Sequence, residues 1–163
     1  ANIVNLLAGM NGMETGMGII YTGMLGAYAY LNLELVAAAI AGVVFTALIA
    51  FYFFNKFPAK ILPGDSLTYL LGGSLVVIAV VGNIEKAALI CLIPFILEFF
   101  LKARSKFKAQ SYGYFVSGKI QSLHSKIYSL VHVFTIKQKF TERQIVSIFI
   151  LIELFFSTLI WFV

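Results

Sequence analysis

Two short polar stretches interrupt an otherwise apolar chain. The stretch near the start supplies three amides and one carboxylate, those of Asn2, Asn5, Asn11 and Glu14. The second stretch, residues 55–66, contains two of the three prolines and Asp65, the only aspartate in the chain. Mg²⁺ prefers oxygen ligands and is often held by only one or two carboxylates. Side chains of these types could therefore bind a divalent cation at the edge of the apolar region.

The carboxylate of Asp65 has two interpretations. Asp is a favoured N-cap residue and its charge suits the positive end of the helix dipole, so Asp65 could cap the helix that follows. Alternatively, the carboxylate could ligate a metal ion at the membrane surface. Residues 55–66 alone do not choose between these interpretations, and one carboxylate at a helix start can serve both purposes.

The stretch near the start also has two interpretations. Asn2 and Asn5 are three residues apart and are therefore neighbours on one helical face. Gly9 and Gly12 allow the backbone to approach a ligand closely. A polar loop between membrane helices is the simpler interpretation, because Asn-Gly is common in turns. Polar groups next to lipid are costly, however, so their concentration here favours a binding role.

Composition indicates a membrane protein. Hydrophobic residues make up 61% of the chain and charged residues 12%, and the mean hydropathy is +0.95. Five apolar runs are candidates for crossing a hydrocarbon core about 30 Å thick, and they cover residues 17–33, 36–54, 66–84, 87–101 and 145–163. We therefore expect an all-α integral membrane protein with about five transmembrane helices. These helices form a single membrane domain over residues 1–163, with an extramembrane loop at 102–142.

The basic residues orient these spans. If residues 55–66 face the cytosol, the twelve Lys and Arg residues all lie on the cytosolic side except Lys86. Positive residues concentrate in this way on the cytosolic side of membrane proteins. The net charge of +5 is thus explained by topology, and nothing indicates nucleic-acid binding. The single cysteine, Cys91, allows no internal disulfide.

The loop at 102–142 has its own elements. It opens with the basic residues Lys102, Arg104, Lys106 and Lys108, which could mark topology, contact anionic lipid or clamp a pyrophosphate. Alternating residues around Ser117-Gly118 predict a β-hairpin over 112–122. Residues 123–134 resemble an amphipathic interfacial helix. Thr141 and Gln144 predict a capping box at the start of the last span.

Four further ionisable residues receive structural interpretations. His124 and His132 flank the predicted amphipathic helix and are expected to be surface residues, since two histidines without nearby Cys or Asp are a weak metal signal. Glu98 is expected to pair with Lys102 four residues on, or else to line a polar site. Glu153, deeper in its span, is expected to be protonated or hydrogen bonded. Glu98 and Glu153 are also the only support for a transporter fragment.

The motifs in order resemble the C-terminal half of a known superfamily. Asn-x-x-Asn-x-x-Ala-Gly-x-Asn-Gly-x-Glu is followed by a pair of spans and then by Phe-Asn-x-x-Pro-Ala-Lys…Gly-Asp. A proline-containing span and a basic loop come next. This pattern resembles the polyprenyl-phosphate N-acetylhexosamine-1-phosphate transferases. The block at residues 8–14 is most similar to that of the dolichyl-phosphate GlcNAc-1-phosphotransferases of archaea and eukaryotes, because the bacterial translocases carry Asp-Gly-x-Asp-Gly there.

The resemblance implies an Mg²⁺-dependent transfer, with Mn²⁺ as an alternative ion. GlcNAc-1-phosphate would pass from UDP-GlcNAc to a polyprenyl or dolichyl phosphate, with release of UMP, as the first step of lipid-linked oligosaccharide assembly for N-glycosylation. Asp65 and Asn5 match the catalytic metal-binding positions. The lipid phosphate would lie near Asn2, Asn5 and Leu6. The residues expected to bind UDP-GlcNAc are Gly9, Asn11, Glu14, Leu62, Arg104, Lys106 and Lys108.

Three departures accompany the resemblance. The basic run lacks the Arg-His-Arg cluster of eukaryotic relatives, and lysine gives point charge without the two-pronged geometry of arginine. Leu62 replaces a phenylalanine that stacks on uracil, so either uracil binds more weakly or another aromatic residue supplies the stack. The family's upstream helices and paired aspartates are not in this chain.

We therefore expect the chain to be part of a larger enzyme whose other partners are the missing N-terminal half and a second copy. The active site is expected on the cytosolic face of an archaeal cell membrane or of the endoplasmic reticulum. Another nucleotide sugar or undecaprenyl phosphate remains the alternative within the superfamily.

Overall fold

The computed structural model describes residues 2–163, and 67% of the chain is helical. The elements in chain order are α1 (Asn2–Leu6), α2 (Met13–Leu31), α3 (Leu35–Asn55), α4 (Gly64–Val81), α5 (Glu85–Cys91), α6 (Ile93–Ala103), β1 (Gly113–Val116), β2 (Lys119–Ser122), α7 (Leu130–Thr135), α8 (Glu142–Thr158) and a 3₁₀ helix, Leu159–Phe162. The mainly helical fold with one hairpin is confirmed.

Within residues 2–163, three helices are long and apolar enough to cross a membrane. They are α3, α4 and α8 with its 3₁₀ extension to Phe162. The other two predicted spans correspond to α2 and to the pair α5 and α6. Pro94 lies in the first turn of α6, and the helical run breaks at Leu92 just before it. A break is expected there because proline clashes with the preceding turn. The total of five spans stays a prediction.

Helix α2 lies at the centre of the fold. It packs against α3, α8 and α4, and Tyr21 on α2 is fully buried with its hydroxyl donating to Leu71 O over 3.0 Å. A Cβ added at Gly18 would meet Leu71 Cδ2 at 2.8 Å, and one at Gly26 would meet Ala41 Cβ at 3.1 Å. The small residues of α2 therefore let its neighbours approach closely, as expected for helices in membranes.

The hairpin pairs β1 with β2 in antiparallel register. Val116 lies opposite Lys119, which leaves a two-residue turn of Ser117 and Gly118. Both turn residues have positive φ, 50° and 81°. A two-residue turn of this kind matches the natural twist of the strands and favours glycine. The prediction at residues 112–122 is confirmed.

The amphipathic helix predicted over 123–134 is wrong in extent, since only α7, Leu130–Thr135, is helical. Ser129 is extended, with φ −151° and ψ 152°, and its hydroxyl accepts from Val131 N, so it caps the helix. Before this cap, the amide of Tyr128 donates to the ring of His132. Side chains thus satisfy backbone groups that a longer helix would have paired internally.

Helix α8 starts as the sequence predicts. The Thr141 hydroxyl accepts from Gln144 N over 3.4 Å, and Gln144 Oε1 accepts from Thr141 N over 3.0 Å. The two bonds form a capping box. The position of α8 matters for the site because its first residue, Glu142, bonds back to Asn11 N over 2.8 Å.

Candidate active site

A cleft of about 610 Å³ lies where α1, α4 and the loop after α6 meet. Seven of the residues predicted from the sequence line it, namely Asn5, Leu6, Gly9, Glu14, Leu62, Asp65 and Lys108. These residues come from positions up to about 100 residues apart in the chain. The fold therefore joins both polar stretches and two lysines of the basic run, Lys102 and Lys108, in one cavity.

Helices α1 and α4 are connected at the cleft by a threonine. The Thr68 hydroxyl lies 3.2 Å from Asn5 Oδ1 and 3.0 Å from the carbonyl oxygen of Asp65, one turn earlier on α4. Thr68 is buried, whereas Asp65 is exposed. This contact orients the amide of Asn5 and places it beside the helix turn that carries the carboxylate.

The helix-cap interpretation of Asp65 is wrong. Helix α4 begins at Gly64, its N-cap position is Pro63, and no side chain caps it by a hydrogen bond. Asp65 is in the first turn, so its charge still suits the helix dipole. Its carboxylate, on the wall of the cleft, is not used to start the helix.

The loop before α2 is closed by a carboxylate. Gly9 N donates to Glu14 Oε1 over 2.6 Å, and Glu14 is buried. Gly9 has φ +119°, and a Cβ there would meet Tyr112 Cδ1 at 3.2 Å. The backbone conformation therefore favours glycine, and Tyr112 leaves little room for a side chain at this position. Glu14 fixes this loop as well as lining the cleft.

Asn55 fixes the second polar stretch. Its side chain is 1% exposed, accepts from Thr15 Oγ1 over 2.6 Å and donates to Ile61 O over 3.0 Å. One buried amide thus connects the start of α2, the end of α3 and the segment leading to Asp65. Leaving such a buried group unpaired costs about 1–3 kcal/mol, so Asn55 holds one wall of the cleft in place.

The opposite wall includes residues 109–111, hereafter the wall strip. It belongs to no helix or strand. Lys102, buried at the end of α6, donates from Nζ to Ala109 O over 2.8 Å. The predicted pairing of Glu98 with Lys102 is wrong, because Glu98 accepts from Leu130 N over 2.7 Å and lies 3.3 Å from Ser111 Oγ. Instead of pairing with each other, Lys102 donates to a backbone carbonyl of the loop and Glu98 accepts from a backbone amide at the start of α7.

Four predicted residues do not line this cleft. Asn2 is exposed on α1, and Arg104 and Lys106 are exposed beyond α6. Asn11 lines a smaller neighbouring cavity of about 310 Å³ with Tyr52, Lys56, Phe57, Arg143, Val146 and Ser147. Its backbone is fixed there by Glu142. The structure thus brings Lys108 to the cleft and leaves the other two exposed basic residues outside it.

Several lining residues were not predicted. Asn55, Lys102, Phe107, Gln110, Ser111 and Tyr112 all line the cleft. A polar Asn55 ending an apolar helix was a usable signal. Phe107 and Tyr112 are both about half exposed, and aromatic residues next to a basic run also point to ligand contact. Gln110 and Ser111 carried no distinguishing sequence signal.

The comparison with known families agrees with this geometry. The model of Glycosyl transferase family 4 matches residues 1–83, which include both polar stretches and their cleft residues. The chain belongs to this family. The match ends before α5, so the basic run and the hairpin are outside the part of the chain that the family model covers.

Relatives of this family 4 chain include archaeal and bacterial proteins. It is 38% identical over 98% of its length to a candidate UDP-N-acetylglucosamine–dolichyl-phosphate N-acetylglucosaminephosphotransferase of Saccharolobus solfataricus. A protein of the same description in Sulfolobus acidocaldarius is 35% identical over 98% of this chain. The alignments cover 50% and 49% of those relatives, so the chain spans about half their length.

A bacterial relative is similar over a smaller region. The phospho-N-acetylmuramoyl-pentapeptide-transferase of Lactobacillus acidophilus is 35% identical over 98 residues, which are 60% of this chain and 30% of that protein. The proteins of Saccharolobus solfataricus and Sulfolobus acidocaldarius, in contrast, match nearly the whole chain, including the loop after α6. The similarity to these two archaeal proteins therefore covers more of the chain than the similarity to the bacterial transferase does.

Proposed function

We propose that this chain forms the C-terminal half of an enzyme that transfers GlcNAc-1-phosphate from UDP-GlcNAc to a dolichyl or other polyprenyl phosphate, releasing UMP. The observation that carries the proposal is the meeting of Asn5 and Asp65 in one cleft with Lys102 and Lys108. Two oxygen ligands and two cations from distant segments suit a pyrophosphate and its counter-ion. The archaeal relatives' names support this donor and acceptor.

The donor set fits Mg²⁺ as a shared rather than a complete site. Mg²⁺ is commonly held by one or two carboxylates together with substrate phosphates. Within residues 2–163, no group of three or more His, Cys, Asp or Glu side chains could hold a metal ion alone. Asp65 supplies an exposed carboxylate, and Asn5 an amide oxygen oriented by Thr68. When bound there, the ion would neutralise the charge that develops on the pyrophosphate.

The reaction needs positioning more than covalent catalysis. An oxygen of the lipid phosphate attacks the sugar-bearing phosphorus of UDP-GlcNAc, the bond to the UMP oxygen breaks, and no protein group is consumed. Lys108 is exposed in the cleft and supplies a point charge to phosphate oxygens. Lys102 is restrained by Ala109 O. The side chain of Tyr112 packs against the backbone of Gly9, and the flat surface of its ring suits the stacking of a uracil base.

A transporter fragment has less support. Glu98 and Glu153 were its only basis, and both are buried. Glu98 bonds to the loop, and Glu153 bonds through Oε1 alone to Ser157 Oγ over 3.0 Å. A family 4 transferase with another donor remains the alternative, and the similarity to the bacterial muramoyl-pentapeptide transferase favours testing it. Undecaprenyl phosphate is the corresponding alternative acceptor.

A donor-competition assay on the full-length enzyme tests the proposal. UDP-GlcNAc, UDP-GalNAc and UDP-MurNAc-pentapeptide are offered with dolichyl or undecaprenyl phosphate, and released UMP is measured. We expect the highest kcat/KM with UDP-GlcNAc and loss of turnover in Asp65→Ala. Preference for another donor would overturn the substrate assignment, and full turnover in Asp65→Ala would overturn the site.

A further inference from the structure

The wall strip is held by three buried side chains, and two of them, Glu98 and His132, have no part in the proposed transfer reaction. Besides the bond from Lys102 to Ala109 O, the His132 ring lies with Nε2 2.9 Å from Gln110 O. His132 is fully buried, which contradicts the expectation that it is a surface residue. Because the strip has no strand partner, these side chains are what fixes its backbone.

Glu98, a residue of α6, contacts both the wall strip and the start of α7. Its Oε2 accepts from Leu130 N over 2.7 Å, at the first residue of α7. Its Oε1 lies 3.3 Å from Ser111 Oγ, and the same hydroxyl lies 3.1 Å from Leu6 O on α1. Ser111 therefore joins the strip to α1 across the cleft. A side chain that is fully buried on α6 positions two separate segments of the loop.

The hydrogen bonds of His132 define its protonation state. Its Nδ1 accepts from Tyr128 N over 3.2 Å, so Nδ1 carries no proton. In a neutral ring the proton is then on Nε2, which donates to Gln110 O. A protonated ring would place the Nδ1 proton against the Tyr128 N–H, and the ring would have to turn away from both partners.

We propose that His132 and Glu98 are positioning residues that hold the wall strip against α1, and that only the neutral imidazole of His132 does so. Neither side chain lines the cleft, so both act through Ala109, Gln110 and Ser111. The consequence for function rests on the proposed transfer reaction. Loosening the strip widens the cleft and weakens donor binding, so KM for the nucleotide sugar rises while kcat is little changed.

The surroundings of His132 oppose protonation. Burial, followed by the neighbouring His124 and Lys102, lowers the pKa of His132 below its ordinary value of 6.5, against hydrogen bonds that raise it. The His124 ring centroid is 5.3 Å away. Two further titratable groups lie near His132. The Glu98 carboxylate accepts from the first residue of α7, and the Tyr128 ring contacts that of His124. With a depressed pKa, the neutral ring's stabilisation is complete above 6.5 and is lost as the pH falls through the lowered pKa.

Amide hydrogen exchange on the full-length enzyme in nanodiscs tests this directly. Protection of the Tyr128 and Ala109 amides is measured at pH values above and well below the ordinary histidine pKa of 6.5 and corrected for intrinsic exchange. Tyr128 N reports on His132 Nδ1, and Ala109 N, which donates to Ser105 Oγ over 3.2 Å, reports on the strip. The experiment needs no turnover, so it is independent of the proposed substrate.

Two substitutions separate the two bonds of His132. His132→Asn places an amide oxygen near Nδ1, so it retains the Tyr128 bond at every pH but releases Gln110. His132→Gln places an amide N–H near Nε2, so it holds the strip but releases Tyr128. The matched control is His124→Gln, since His124 is half-buried and its ring is next to that of His132. Glu98→Ala removes the acceptor of Leu130 N.

We expect wild-type protection of Tyr128 to fall roughly tenfold on acidification. It should stay constant with pH in His132→Asn. In His124→Gln it should still fall on acidification, but starting at a higher pH, because one cause of the lowered His132 pKa is gone. Leu130 should exchange roughly tenfold faster in Glu98→Ala. A wild-type Tyr128 amide whose protection ignores pH, or a His132→Asn variant that keeps the wild-type pH dependence, would overturn the inference.

Transfer kinetics separate this inference from the proposed function. Wild-type KM for UDP-GlcNAc should rise as the pH falls, whereas His132→Gln should keep a flat KM because its strip contact cannot be protonated. If no transfer occurs but the exchange pattern appears, the proposed function is wrong and the positioning role stands. If transfer occurs with a pH-independent exchange pattern, the positioning role is wrong.

Discussion

Tyr112 lines the cleft beside Gly9, where we expect the base of the proposed nucleotide-sugar donor to bind. Leu62, at the position where the resembling family carries a phenylalanine, is 73% exposed and lines the same cleft. Tyr112 is 47% exposed and packs against Gly9. We infer that Tyr112 supplies the aromatic stack for the base. Phe107 is the other aromatic residue on this wall.

Replacing Tyr112 should therefore weaken donor binding. Stacking of a base on an aromatic side chain contributes about 1–3 kcal/mol, so Tyr112→Ala should raise KM for the UDP-sugar by roughly tenfold or more. Tyr112→Phe should restore it. Tyr114→Ala is the matched control, because Tyr114 is 66% exposed on the hairpin and does not line the cleft. Equal KM values for Tyr112→Ala and Tyr114→Ala would contradict the stacking role.

Asn55 should matter for stability as well as for activity. Asn55→Ala leaves the Thr15 hydroxyl and Ile61 O without their buried partner, which should cost about 1–3 kcal/mol. The measurement is thermal unfolding of the full-length enzyme, followed with the transfer rate. Asn32→Ala is the control, because its exposed amide only bonds Tyr28 O over 2.8 Å. A variant at Asn55 that unfolds like the Asn32 control would show that the amide is not structural.

At the scale of elements, the hairpin turn fixes the segment that follows Tyr112. Ser117 and Gly118 both have positive φ, so a β-branched residue at Gly118 should cost about 1–2 kcal/mol. Gly118→Val should lower the amide protection of β1 and β2 and raise KM for the donor. Gly118→Asn is the control, since asparagine tolerates this conformation. Undiminished protection in Gly118→Val would mean that the turn does not set the register.

The sequence predicted elements well where local rules govern them. The capping box at Thr141 and the hairpin turn at Ser117 each depend on neighbouring residues, and both are confirmed. The helix over 123–134 failed because tertiary partners took its backbone groups, among them His132. The predicted pairing of Glu98 with Lys102 was wrong for the same reason, because the actual partners of Glu98, Ser111 and Leu130, are distant in sequence.

At the scale of the whole molecule, the cleft was predictable only in part. Order and spacing of motifs identified Asn5, Gly9 and Asp65, which the fold brings to one cavity. Which lysine reaches the cleft depended on the path of the loop after α6, where Lys106 and Phe107 both have positive φ. The alternation of basic and other residues in the sequence does not indicate how the backbone of this loop turns. Lys102 and Lys108 were therefore indistinguishable from Arg104 and Lys106.

We propose that Asn5 and Asp65 act together in one Mg²⁺-dependent site, and a double-mutant cycle tests this proposal most directly. Initial transfer rates of the full-length enzyme are measured against Mg²⁺ concentration for wild type, Asp65→Asn, Asn5→Ala and the double variant. Glu85→Gln is the matched control, because Glu85 is an exposed carboxylate in the first turn of α5 that does not line the cleft.

We expect each single variant to lose roughly 100-fold or more in kcat/KM and to need more Mg²⁺. The double variant should lose little beyond either single one, because residues that act as a unit are not additive. Glu85→Gln should resemble wild type. Additive losses together with an unchanged Mg²⁺ requirement in Asp65→Asn would contradict the shared site.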